Sequence, residues 1–182
     1  MQLNPIKKMI LEALWQKEKP VKPLEIARQL GIKNQQAMMH LLNLRNIGYV
    51  SSPERNHYII TELGKEALGL SKITKDQATQ ILHPTPPEKA FHFYTGLGKY
   101  SGIHADSLQD FCDKIQKIGV ETIAFHMPRK DFENWLQHLG DDELAKKMAM
   151  LREQGLSGEE LRQKIYETTK CRCEELKKIT IQ

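Results

Sequence analysis

The chain has 182 residues, 40% of them hydrophobic, and a formal net charge of +4. That is enough for one domain or two small ones, and too apolar for a wholly disordered chain. No apolar run approaches the ~20 residues that span a bilayer. The start, Met1 to Lys8, leads into an amphipathic segment containing Glu12 and not into the apolar region of a signal peptide. Three cysteines, Cys112, Cys171 and Cys173, cannot all pair, so no disulfide framework is implied and a reducing cytoplasmic setting is expected. The charge is uneven. Residues 1–70 carry 10 Lys and Arg against 6 Asp and Glu, whereas residues 71–182 carry 17 of each. The whole excess sits in the first part, as it would if that part met a polyanion.

Pro5 stands where a first helical turn tolerates proline, and Ile6, Ile10, Leu11, Leu14 and Trp15 follow at helical spacing. Lys17-Glu18-Lys19-Pro20 ends that helix. Pro23 opens a second, with Leu24, Ile26, Ala27 and Leu30 as its buried face and Gly31 closing it. A third helix is expected from about Asn34, read as its N-cap, to Ile47, with Ala37, Leu41, Leu44 and Ile47 inward and Gly48 closing it. Tyr49–Ser52 and His57–Ile60 are β-prone runs around the turn residues Pro53-Glu54-Arg55-Asn56, a hairpin signature. Thr61 then caps a short helix, Glu62–Leu68.

The order helix, helix, helix, hairpin, helix, with Ile26-Ala27-Arg28-Gln29-Leu30-Gly31-Ile32, then Ala37, Leu41, Leu44 and Gly48-Tyr49-Val50, then Tyr58 and Thr61-Glu62-Leu63-Gly64-Lys65, resembles winged-helix transcriptional regulators of the prokaryotic type over residues 5–70. The resemblance implies that the third helix enters the major groove of double-stranded DNA and that the hairpin touches backbone or minor groove. Opposite Ala37, Leu41 and Leu44 lie Gln35, Gln36, Met39, His40 and Asn43. The amide side chains suit bidentate contacts to adenine, and His40 can donate to a base or a phosphate. Lys33 and Asn34 stand at the helix entrance, where phosphate contact is natural, and Arg55 and His57 sit on or beside the wing. Against this, the third helix is poor in cations, and Met38 and Met39 add soft apolar surface that would favour a protein contact.

Leu82-His83-Pro84-Thr85-Pro86-Pro87 cannot continue a helix. Residues 71–87 are therefore read as a linker, within which Ser71–Ile81 is a helical extension or a loose strap. Ala90–Thr95 is an aromatic run, either a short strand or a helix start, and Gly96, Gly98 and Gly102 make a glycine-rich turn. Beyond them the pattern is helical. Leu108, Phe111, Cys112, Ile115 and Ile118 form a stripe capped by Asp106 or Ser107, and Val120 to Met127 form a short helix broken by Pro128. Asp131 caps Phe132 to Leu139, Asp141 opens Leu144 to Leu151, and a last helix from Ser157 turns Leu161, Ile165 and Leu176 inward. The expected fold is mainly α with a small β-hairpin: a winged helix-turn-helix domain over 1–70 and a helical bundle over 88–182.

Phe91–Gly96, Ser107-Leu108 with Phe111, Glu121–His126, Asp131–Trp135 and Leu139–Ala145 are similar to an uncharacterised prokaryotic helical domain of unknown function, over residues 88–178. The likeness carries no activity, and the His-rich insertion that many relatives have after the position of His126 is absent here. His92, His104, His126 and Asp131 are residue types that zinc or iron accepts, but they come from four segments with no fixed spacing. Cys171-x-Cys173 is too short for a zinc knuckle. Asp141-Asp142-Glu143 at a helix start reads as capping. Tyr94, Phe125, Phe132 and Trp135 read as core aromatics or, alternatively, as the lining of a ligand cavity. No catalytic residue, metal or cofactor is expected. The leading expectation is a DNA-binding regulator whose second domain dimerises or senses a small-molecule or protein effector, with no membrane partner. The alternatives are a protein–protein adaptor and, third, an enzyme of nucleic-acid metabolism with a His-based site.

Overall fold

The computed structural model describes residues 3–17 and 19–181. Met1 and Gln2, the share of Glu18 in ending the first helix, and Gln182 lie outside the described residues. The described residues are mainly helical, with two small antiparallel two-stranded sheets. They divide into two compact units, Met1–Lys72 and Ile73–Gln182.

In the first unit, α1 (Pro5–Lys17), α2 (Pro23–Leu30) and α3 (Asn34–Asn46) precede β1 (Val50–Glu54), β2 (His57–Ile60) and α4 (Glu62–Ala67). Ile10, Leu11 and Leu14 of α1, Ile26 of α2 and Leu41 and Leu44 of α3 converge with Val50 and Tyr58 on one core, each large aliphatic contributing ~1.5–3 kcal/mol by burial. Both helix stops use glycine at positive φ. Gly31 (φ 64) and Gly48 (φ 84) let the following amides fold back, Ile32 N–H onto the Ala27 carbonyl and Tyr49 N–H onto that of Leu44. The strands pair Val50 with Ile60 and Glu54 with His57 around an irregularity between Ser51 and Glu54. Val21 adds a bridge to Tyr58. Thr61 caps α4 by accepting the Gly64 N–H at 3.1 Å, and α4 packs so closely that a Cβ on Gly64 would run into the Tyr49 carbonyl.

Three local expectations change. Asn34 is the first helical residue; the extended backbone of Lys33 makes Lys33 the N-cap, without a side-chain bond. Leu24 and Ile47, expected inward, are exposed. Leu24 sits in the first turn of α2 beside the buried Pro23, which takes the inward place. Ile47 falls past the last helical residue, off the Ala37–Leu41–Leu44 stripe.

The second unit contains α5 (Lys75–Leu82), a 3-10 turn (Pro87–Lys89), β3 (Phe91–Gly96), β4 (Lys99–Ala105), α6 (Leu108–Ile115), α7 (Val120–His126), α8 (Asp131–Leu139), α9 (Asp142–Glu153) and the long α10 (Gly158–Ile181). Its core joins Phe93, Leu108, Phe111, Ile115, Phe132, Leu136, Leu144, Met148, Ile165 and Leu176. Most of residues 71–87 is not a free linker. Thr74 caps α5 in a reciprocal box with Gln77, and Ala78 and Ile81 are buried in this core. Thr85 ties the proline segment down, its hydroxyl donating to the Asp106 carbonyl at 2.8 Å and its N–H to the same oxygen at 2.6 Å. The glycine-rich turn is a hairpin, since Lys99–Ala105 returns as β4, with His92 opposite His104 and Gly96 opposite Lys99.

Candidate functional site

On α3 the buried stripe is Ala37, Leu41 and Leu44. Helical geometry places Gln35, Gln36, Met39 and Asn43 on the opposite side. Lys33, Asn34, Gln35, Met39 and Asn43 are exposed, and Gln36 and His40 are half-buried. Arg55 is exposed in the β1–β2 turn. The half-buried His57 donates from Nδ1 to the Arg55 carbonyl at 3.1 Å and so braces the turn rather than projecting from it. Asn43 is engaged: its Oδ1 accepts from Lys7 Nζ at 2.6 Å. Helical periodicity alone gives no sign of this, because the partner stands 36 residues earlier on α1.

The second unit builds a different arrangement around His126. Burial removes the imidazole from water, and both of its nitrogens are used. Nε2 accepts the Tyr94 backbone N–H at 2.8 Å, which leaves Nδ1 to carry the proton and donate to Asp131 Oδ2 at 2.7 Å. Desolvation lowers the His126 pKa, with Arg129 acting the same way and Asp131 opposing it. Asp131, expected as a helix cap, is the first residue of α8. Lys130, at φ 62, takes the preceding left-handed position, and the Asp131 carboxylate turns to His126 and to Arg129 Nε at 3.0 Å. The Arg129 guanidinium lies 4.9 Å from the Phe125 ring centroid. Phe91, Tyr94, Phe125 and Leu97, the last 80% exposed, complete a cleft of about 310 Å³. Phe132 and Trp135 are core residues as expected, whereas Tyr94 and Phe125 are half-buried and line the cleft.

The four candidate ligands form no single cluster: His126 meets Asp131 and His92 meets His104. His92 and His104 face each other across the hairpin with ring centroids 5.7 Å apart, and His92 Nε2 donates to the Pro87 carbonyl at 3.1 Å. Among the described residues no group of three or more His, Cys, Asp and Glu side chains is arranged to hold a metal ion. Cys112 and Cys173 are buried; a hydrogen bond donated by the Cys173 thiol to the Cys112 sulfur lowers the pKa of Cys112 and, with burial, raises that of Cys173, while Cys171 is half-buried.

Asp141 does cap α9, accepting the Leu144 N–H at 3.0 Å. It is also half of a buried ion pair that a capping pattern does not reveal. Arg172, on α10 and 1% exposed, bonds Asp141, Glu143 and Glu175. Burial pulls the Arg172 pKa down, and the charges and hydrogen bonds of these carboxylates, Asp141 foremost, outweigh it and hold the value above that of an ordinary arginine.

Comparison with curated proteins and with solved structures gives no match. The model of a family of unknown function, DUF5752, matches residues 65–170, a stretch that contains the His126 cleft and Asp141 and leaves out α3. That stretch is more than half of the chain, and the chain belongs to this family.

Proposed function

We propose that the chain is a cytoplasmic DNA-binding protein, a transcriptional regulator. In this reading the first unit is a winged helix-turn-helix that reads double-stranded DNA with α3, and the β1–β2 hairpin is its wing. One observation carries the reading: α3 buries Ala37, Leu41 and Leu44 and presents Lys33, Asn34, Gln35, Met39 and Asn43 outward, directly before a hairpin whose turn exposes Arg55. A helix with polar amides on its free side, followed by a cation-tipped hairpin, fits a major groove and the adjacent backbone. The charge excess of residues 1–70 supports the same partner.

The second unit acts as a non-catalytic module for homodimerisation or for sensing a small-molecule or protein effector. The support is that His126 spends both nitrogens on Tyr94 and Asp131 and has none left to activate a nucleophile. No helix among the described residues is long and apolar enough to cross a membrane. The second reading is a protein adaptor, favoured by the exposure of Met39, Leu42 and Ile47 on or beside α3. Titrating duplex binding against salt separates the two. The regulator loses affinity log-linearly as salt rises; the adaptor binds no duplex at any salt concentration, and that result would overturn the proposal.

A further inference from the structure

For a helix that reads a polyanion, α3 carries few cations: Lys33 at its N-cap and Arg45 in its last turn. The contact between Lys7 and Asn43 supplies another from a different helix. Lys7 lies in the first turn of α1, and its Nζ reaches Asn43 Oδ1 at 2.6 Å. Asn43 shares the outward side of α3 with Gln36 and Met39, so the ammonium is brought to that side. The acceptor is a neutral amide, which orients the charge without cancelling it. Lys8, by contrast, sits 3.8 Å from Glu12. An ammonium has three donors, and the bond to Asn43 uses one of them. The rotamer freedom that a loose lysine loses on reaching a phosphate is already given up here. The same bond engages the oxygen that Asn43 would need for a bidentate contact with adenine.

We infer that Lys7 is a phosphate-contacting residue of the duplex interface and that Asn43 is the positioning residue that delivers it, not a reader of bases. This rests on the duplex-binding reading above. The chemistry it recognises is the non-bridging phosphate oxygen, independent of base sequence.

The test uses the full chain as wild type, Lys7→Gln, Lys7→Arg, Asn43→Ala and the Lys7→Gln/Asn43→Ala double variant. Binding is followed by fluorescence anisotropy over a salt series, on a labelled duplex of mixed sequence and on duplexes enriched from a random pool by the wild-type chain. Thermal melting by circular dichroism monitors folding. Lys7→Gln is expected to weaken binding to every duplex by the same factor and to reduce the slope of log K against log salt by about 1, one phosphate contact. Lys7→Arg keeps the wild-type slope. Asn43→Ala lowers affinity without reordering the duplexes and adds nothing on top of Lys7→Gln. An unchanged slope in Lys7→Gln, or a reordering of duplexes by Asn43→Ala, overturns the inference while leaving duplex binding intact. A wild-type chain that binds no duplex overturns the duplex reading and the inference together.

Discussion

One edge of the Arg172 guanidinium closes on the carboxylate of Asp141, with Nε donating to Oδ2 at 2.9 Å and Nη2 to Oδ1 at 2.9 Å. Asp141 also caps α9, so the pair fastens the start of one helix to the middle of another. Breaking a buried pair on one side leaves a desolvated charge, which costs ~3–5 kcal/mol. Arg172→Met should therefore destabilise the second unit by about that much in urea unfolding. Adding Asp141→Asn, which keeps an N-cap side chain and removes the more deeply buried of the carboxylates left without Arg172, should recover part of the loss. A single Arg172→Met variant as stable as wild type would show that the pair does not hold α9 to α10.

The hydrogen bonds of His126 fix its tautomer, and its burial sets its pH response. Its folded pKa lies below the ordinary 6.5, chiefly through burial. As pH falls through about 6.5 the unfolded chain takes up a proton that the folded chain refuses, so this residue's contribution is complete above that pH and declines below it. His126→Gln should flatten the acid limb of the stability–pH curve. Nitrogen NMR at pH 7 should find a neutral ring protonated on Nδ1. A ring protonated on both nitrogens at pH 7, or on Nε2 alone, contradicts the geometry.

Limited proteolysis should cut first at Ser71–Thr74 and not at the proline segment. Ser71 and Lys72 are exposed and lie outside regular structure, whereas Thr85 is bonded to Asp106 and Pro87 accepts from His92. Exposed backbone with few internal bonds is the preferred site of cleavage. A fragment beginning near Ile73 should keep a cooperative melt. One beginning at Glu88 lacks Ala78 and Ile81, both buried in the second core, and should lose it. First cleavage within 82–87, mapped by mass spectrometry, would mean that the proline segment is loose and not tied down by Thr85.

The helical periods of the first unit are legible because Gly31 and Gly48 mark two stops, and because the stripe Ala37, Leu41, Leu44 recurs at one spacing. What the sequence hides has physical causes. β4 interleaves Gly102 and polar residues, and register shifts on both sides of Tyr94 erase the two-residue alternation that marks a strand. α5 shows mostly polar residues because it buries only Ala78 and Ile81. Arg172 looks like an exposed cation in a polar helix, since Asp141 and Glu143, the buried carboxylates that compensate it, stand 31 and 29 residues earlier in the chain. The outward residues of α3 are legible as a face, but the Lys7–Asn43 bond depends on how α1 crosses α3 and leaves no periodic trace.

The outward face of α3 yields the sharpest division of roles. Gln35 and Gln36 offer paired donor and acceptor groups that can grip an adenine edge, whereas Lys33 at the helix entrance offers charge alone. Replacing Gln36 with Ala should therefore weaken the preferred duplex by ~1–3 kcal/mol and relax the preference at one base position, leaving mixed-sequence binding nearly untouched. Gln35→Ala should act in the same way at a neighbouring position. Lys33→Ala should weaken preferred and mixed duplexes alike and lower the salt slope by about 1. Competition binding of each variant against duplexes carrying single base-pair changes reads both effects. If neither glutamine substitution alters the ranking of those duplexes while Lys33→Ala still lowers the slope, α3 holds the backbone without reading sequence. Selectivity would then have to come from the wing, where Arg55→Ala becomes the deciding variant.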